Sequence, residues 1–317
     1  MQHKTILTLA LFLLFTVTLL AQTGIEKQTF TYAINGSDTL RLDKYNDIGI
    51  KGQKPCVIFV FGGGFVSGAR DAEHNVEYMQ RLAQNGYVAI SIDYRLGLKD
   101  ITSNTVGGNK EMVALFENTI NMAVEDLFSA TAYVYSNAND WGIDREMIVA
   151  NGSSAGAVTV LQAEYYICNK NGLTQKLPEG FNYAGIIGFA GAIYSNSGKP
   201  KWETAPCPIQ MFHGDADSNV PFSKVKLLKY GLFGSEFIAE QLGKMNSPYY
   251  FYRVENAAHE IAGTPMVDNI TDINGFIQAY VINKKPLQIT TIVKRLDKPD
   301  VKKKFKVKDY LKANFSI

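Results

Sequence analysis

The stretch Glu146-Met147-Ile148-Val149-Ala150-Asn151-Gly152-Ser153-Ser154-Ala155-Gly156-Ala157-Val158-Thr159-Val160-Leu161 changes its character half-way. Up to Ala150 it is a short apolar run, as in a strand buried on both faces; from Ala157 it reads as the start of a helix. Between them Gly152-x-Ser154-x-Gly156 predicts a tight strand-to-helix turn. Such a turn thrusts its central side chain out of the backbone, and glycines at 152 and 156 leave room for it. The following helix aims positive partial charge at an oxyanion formed beside its first residue. Ser154 is therefore the candidate nucleophile, and Ser153 should point elsewhere. Taken alone, the motif also fits a Gly/Ser turn without chemistry.

Outward from this turn, short apolar runs recur at Val57–Phe61, Val88–Ile92, Ile148–Ala150, Ile186–Ala190, Ile209–Phe212 and Tyr249–Val254. Helix-like segments separate them: Val76–Gln84, Lys110–Tyr135, Ala157–Tyr166, Lys224–Leu227 with Glu236–Lys244, and Met266–Val281. This alternation predicts an α/β domain over 22–281, with a mostly parallel central sheet and helices on both faces. Thr29–Ile34 and Thr39–Asp43 alternate on either side of Asn35-Gly36, which predicts an antiparallel N-terminal hairpin at the sheet edge. Gly97–Asn109 and Ser195–Ala205 break the rhythm. Both follow strands, so they should lie over the carboxyl edge, where ligands bind in such sheets.

With 317 residues, 46% hydrophobic and 20% charged, the composition excludes a disordered, fibrous or coiled-coil chain. A net charge of +2 is too small to point to nucleic acid as a partner. His3 and Lys4 precede an apolar run from Ile6 to Leu20, shorter than the roughly 20 residues of a membrane-spanning helix. Residues 1–21 are expected to be a signal peptide cleaved near Ala21-Gln22, giving a secreted or periplasmic protein without stable membrane insertion. An uncleaved anchor is the alternative. Cys56, Cys168 and Cys207 do not make a disulfide framework and are expected as small buried residues, although one pair could bridge. Residues 282–317 form a basic C-terminal extension, densest at Lys302-Lys303-Lys304, expected to be a solvated surface segment. Contact with an acidic polymer or an anionic membrane surface is the sharper alternative.

Phe61-Gly62-Gly63-Gly64-Phe65 follows its apolar strand directly. Without Cβ atoms, the amides of Gly63 and Gly64 can approach a substrate, and with that of Ala155 they form a candidate oxyanion hole. A phosphate loop is disfavoured, because no Gly-Lys-Ser/Thr follows and the GxGxxG spacing is missing. A serine hydroxyl needs a base, and the chain has only four histidines. His3 belongs to the signal segment, and His74 precedes the nucleophile. That leaves His213, in His213-Gly214-Asp215-Ala216-Asp217, and His259, in Ala257-Ala258-His259-Glu260. The order Ser154, Asp217, His259 is that of a nucleophile–acid–base set on such a sheet. His213 is read as a structural residue beside the acid, and Asp215 is the second candidate for that acid. No metal or organic cofactor is expected, since no His/Cys/Asp cluster has ligand spacing.

These residues carry a resemblance. FGGGF (61–65), SIDYRL (91–96), GSSAG (152–156), HGDADSNVP (213–221) and AAHE (257–260) are similar to the α/β-hydrolase carboxylesterases, near the hormone-sensitive-lipase-like and bacterial feruloyl and acetyl-xylan esterase-like groups. The resemblance spans roughly Val57 to Tyr280. It implies an α/β-hydrolase fold, Ser154 as nucleophile, Asp217 as acid, His259 as base, and the glycine loop as oxyanion hole. Asp93 and Arg95 then look like scaffold residues for that loop. The family usually has histidine where this chain has Phe61, which puts the hydrogen bonding around the loop in question. The implied partner is a small-molecule or polysaccharide-linked ester, with acetyl or feruloyl groups as the expectation. A peptidase with the same set, or a non-catalytic binding protein on this scaffold, are the rival readings.

Overall fold

Strands that must be covered on both sides need apolar residues at every position, and the centre of this molecule is built from such strands. The computed structural model describes residues 24–101, 108–297 and 299–315; the expected signal segment and positions 102–107 of the irregular loop lie outside them. In chain order the strands of the large sheet are β1 (Ile25–Asn35), β2 (Asp38–Asp47), β3 (Lys54–Val60), β4 (Val88–Ile92), β5 (Ile143–Ser153), β6 (Gly185–Phe189), β8 (Ile209–Gly214), β11 (Tyr249–Glu255) and β12 (Gln288–Lys294). Every residue of β4, β6 and β8 is buried.

The order across this sheet is β1-β2-β4-β3-β5-β6-β8-β11-β12. Only the β1–β2 and β2–β4 joins are antiparallel; the remaining ladders are parallel. The expected hairpin is thus present, and it turns at Gly36-Ser37, with Gly36 at φ 62°. Helices α1 (Glu73–Gln84), α2 (Asn109–Asn137), α3 (Ala155–Cys168) and α4 (Ser235–Lys244) follow strands as the alternation requires. Helix α3 packs against β5, β6 and α2.

Three expectations need correction. Lys224–Leu227 is a strand, β9, not helix; it pairs with β10 (Tyr230–Gly234), which pairs with β7 (Ala192–Ser195) in a separate three-stranded antiparallel sheet. Lys224-Val225-Lys226-Leu227 alternates with period two, and Leu228 at φ 57° turns the chain into β10, which no helix would tolerate. Met266–Val281 is not one helix but α5 (Pro265–Asp268), α6 (Ile270–Phe276) and a π-helical turn at Ile277–Ile282, broken where Asn269 sits at φ −118°. Finally, the segment beyond 281 is not simply a solvated extension. Its β12 adds a ninth strand parallel to β11, and α7 (Val307–Phe315) packs against β9.

Cys56, Cys168 and Cys207 are all free and buried, and burial pushes each thiol above its ordinary range. Among the described residues no helix is long and apolar enough to cross a membrane.

Phe212 is fully buried, with ring centroids 5.5 Å from Phe189 and 5.2 Å from Tyr252. Phe212→Ala should cost about 3–5 kcal/mol. Urea unfolding would show a lower midpoint at unchanged slope.

Candidate active site

Ser154 occupies φ 51°, ψ −116°, a conformation that a residue with a side chain adopts only when its surroundings impose it. A Cβ on Gly152 would lie 2.2 Å from the Gly156 carbonyl oxygen, and one on Gly156 would lie 2.0 Å from the Val60 oxygen. No side chain fits at either position, so β5, the turn and α3 close on one another. The Ser154 amide donates to the Phe189 carbonyl at 2.8 Å, which fixes the turn to β6. Ser153, as expected, points away: its hydroxyl donates to Ala262 O at 2.7 Å, in the 3-10 turn His259–Ala262.

That turn brings His259 to the serine. Nε2 of His259 is 2.8 Å from Ser154 Oγ, and Nδ1 is 2.7 Å from Asp217 Oδ2. The other oxygen of Asp217 accepts from the amides of Asn219, at 2.8 Å, and Val220, at 3.0 Å. The end of β8 is pressed under the same loop: a Cβ on Gly214 would lie 2.3 Å from Ala257 O, and the Ala216 amide donates to that oxygen.

His213 is wholly buried beside the acid, with Nε2 3.4 Å from Asp217 Oδ2 and 3.3 Å from Val220 O. Its Nδ1 lies 2.8 Å from the Ser235 hydroxyl. A ring carrying its proton on Nε2 serves both acceptors while Ser235 donates to Nδ1. Burial raises the Asp217 carboxyl, but hydrogen bonds from His213 and His259 outweigh it and hold the group well below its ordinary range. Asp215, the second candidate acid, is occupied elsewhere: it accepts from the Asn256 amide and pairs with Arg253 and Lys303. His74 is exposed on α1.

The glycine loop borders the same cavity. Gly63, Gly64 and Phe65 have φ of 123°, 64° and 62°, and the amides of Val66 and Ser67 both donate to Gly63 O, closing the loop. Gly63, Gly64, Ser154 and Ala155 all line one space of about 450 Å³. Phe61 is a packing residue: its ring lies 4.6 Å from that of Tyr94, whose hydroxyl donates to Phe61 O at 2.9 Å. Asp93 and Arg95, on either side of Tyr94, are held in ion pairs. Asp93 holds Arg70 at 2.9 Å, Arg70 reaches the buried Asp43 at 3.2 Å, and Arg95 holds Asp126 of α2 at 2.7 Å.

The walls of the cavity were not legible as such. Phe65 and Phe116 pack edge-on, Tyr194, Tyr230 and Leu232 come from the small sheet, and Tyr310 comes from α7. The glycine-spaced alternation of Tyr230-Gly231-Leu232-Phe233-Gly234 was the available signal for the small sheet.

This connectivity, with the serine on the turn between β5 and α3, identifies the architecture. The chain has the α/β-hydrolase fold. It resembles the carboxylesterases of that fold. The family model described as BD-FAE matches residues 42–191, just under half of the chain. Gut esterase 1 of Caenorhabditis briggsae is 28% identical over 129 residues, 40% of this chain and 21% of that protein. Fumonisin B1 esterase of Sphingopyxis macrogoltabida is 31% identical over 109 residues, 34% of this chain and 19% of that one. The chain therefore spans about a fifth of the length of these relatives. Among solved structures, the propionate-bound esterase 2 of Thermogutta terrifontis superposes with a TM-score of 0.58 at 22% identity, covering 83% of this α/β-hydrolase and 96% of that chain. The same esterase phosphonylated by cyclosarin gives 0.57.

Two outcomes test this geometry. Gly156→Ala should cost about 2–3 kcal/mol by forcing β3 and α3 apart, read as a lower unfolding midpoint. Asp217 and Asp43 are both held below the ordinary carboxyl value of 3.8. Their stabilisation is complete above that value and is lost as the pH falls through the range below it. Urea midpoints measured from about pH 6 down to about pH 2 should be level above about pH 5 and fall below about pH 4, and Asp217→Asn should flatten part of that fall.

Proposed function

We propose that this protein is a serine carboxylesterase working through an acyl-enzyme. The observation that carries the reading is the unbroken relay Ser154–His259–Asp217, at 2.8 and 2.7 Å, opening on one cavity with the glycine loop. Ser154 Oγ attacks the ester carbonyl while His259 Nε2 takes its proton, and Asp217 holds the imidazolium that forms. The amides of Gly63, Gly64 and Ala155 are the donors for the oxyanion. Collapse expels the alcohol, which receives the proton from His259. Water, deprotonated by the same base, then releases the acid and restores Ser154.

The substrate reading is an ester on a polysaccharide, met outside the cytoplasm. The signal-like residues 1–21 and the family resemblance support it. Of the two acyl groups, the aromatic feruloyl suits the mostly apolar, aromatic-walled cavity better than acetyl does. All members of the set are present and in contact, which favours catalysis over a binding role on the same scaffold.

A fluorophosphonate probe is expected to label the wild type at Ser154, with hydrolysis of methyl ferulate and of p-nitrophenyl esters. Ser154→Ala should abolish both, and Asp217→Asn should lower kcat by about 10³–10⁴-fold. Absence of wild-type labelling, or equal labelling of Ser154→Ala, would overturn the reading. Faster turnover of acetyl than of feruloyl esters would overturn the choice of acyl group.

A further inference from the structure

We infer that the segment 299–315 is the specificity wall of this site, clamped over the cavity so that α7 sets how long an ester chain enters. The inference rests on the esterase reading, since it concerns what Ser154 is offered.

Val307, Tyr310, Ala313 and Asn314 of α7 line the same cavity as Ser154, Gly63 and Gly64. Nothing in the sequence of this segment announces a substrate wall, and a merely solvated tail would not lie here. Three polar anchors hold it, two to the loop after β8 and one to the loop after β11. Lys303 Nζ is 3.0 Å from Asp215 Oδ2, Asn256 Nδ2 donates to Asp300 Oδ1 at 3.1 Å, and Asn314 Nδ2 donates to Asn219 O at 2.9 Å. Asp215 and Asn219 flank Asp217 by two residues on either side, and Asn256 lies three before His259. The segment is therefore pinned to the loops that carry the acid and the base.

The Lys303 anchor is stronger than an exposed pair. The Asp215 side chain is 2% exposed and accepts from the Asn256 amide, so its carboxylate is fixed before Lys303 arrives. Lys302 pairs within the segment, with Asp309 at 3.3 Å. Asp309 also accepts from the Lys306 amide at 2.7 Å, starting α7, and Phe305 packs on Tyr310. Lys303 thus ties the segment to the body of the molecule, while Lys302 steadies the start of α7.

Tyr310 is the partition. It borders the cavity on one side and, on the other, a polar hollow containing Asp215, Asp217 and Lys303. Burial first, and then the negative charge of Asp217, push its hydroxyl up to about 12, so it stays neutral while forming this wall. Ala313 is the complementary position: a small residue on the cavity side leaves room that a larger one would take.

The test uses the full chain with Ala313→Trp, Tyr310→Ala and Lys303→Glu, reading kcat/KM for p-nitrophenyl octanoate against acetate. Labelling by a short ethyl fluorophosphonate reports the integrity of Ser154. Ala313→Trp should lower the octanoate/acetate ratio about tenfold, and Tyr310→Ala should raise it by a similar factor, with short-probe labelling retained. Lys303→Glu should move the ratio in the same direction as Tyr310→Ala, which decides the matter if a cavity variant does not fold. Labelled variants whose ratio stays within about twofold of wild type would overturn the wall while leaving the esterase reading intact. A folded wild type that neither labels nor hydrolyses either ester would overturn both.

Discussion

The carbonyl oxygen of Val60 lies 2.0 Å from where a side chain on Gly156 would begin, and the site depends on that closeness. Val60 ends β3 and delivers the chain into Phe61-Gly62-Gly63-Gly64; Gly156 sits in the first turn of α3. Pressing one against the other places the glycine loop and the helix start on either side of Ser154. The serine is left with a strained φ of 51°, and the packing of β3, β5 and β6 supplies what keeps it there. Backbone contact, with no side chain between, sets the distances in which the chemistry takes place.

A second constraint is electrostatic and asymmetric. Asp217 receives two backbone amides on one oxygen and two histidines on the other, although only one of those histidines faces the serine. His213 is buried and anchored by Ser235, so it steadies the carboxylate without competing for the substrate proton. At the β2–β4 join, Arg70 between Asp43 and Asp93 plays a comparable role. In both places burial would disfavour charge, and multiple donors compensate for it.

Much of this was readable from residue order. Continuous apolar runs announce strands covered on both faces; they gave β4 with its bounds intact, while β5 starts five residues before its run at Ile148–Ala150. Glycine at 152 and 156 announces a turn no other residue permits, and Ser154, His259 and Asp217 meet where chain order places them. Local pattern failed where tertiary pairing decides the outcome. Lys224–Leu227 is short and half polar, and only its partner in β10 makes it a strand. Beyond 281 the run Ile289-Thr290-Thr291-Ile292-Val293 was a strand signal, masked by the many lysines around it. The part from 299 on is placed by single long-range contacts such as Lys303 with Asp215, for which sequence offers no periodicity.

The strand β12 has an effect on robustness that catalysis alone would not reveal. An open sheet edge exposes unpaired amides and carbonyls, inviting other strands to add to it. Without Gln288–Lys294 that edge would be β11, the strand leading into the His259 turn. With β12 in place, β11 is an interior strand bonded on both sides, and the vulnerable edge moves outward to a strand bearing exposed Ile289 and Ile292. Association along that edge, or fraying of it, would be absorbed one strand away from the base.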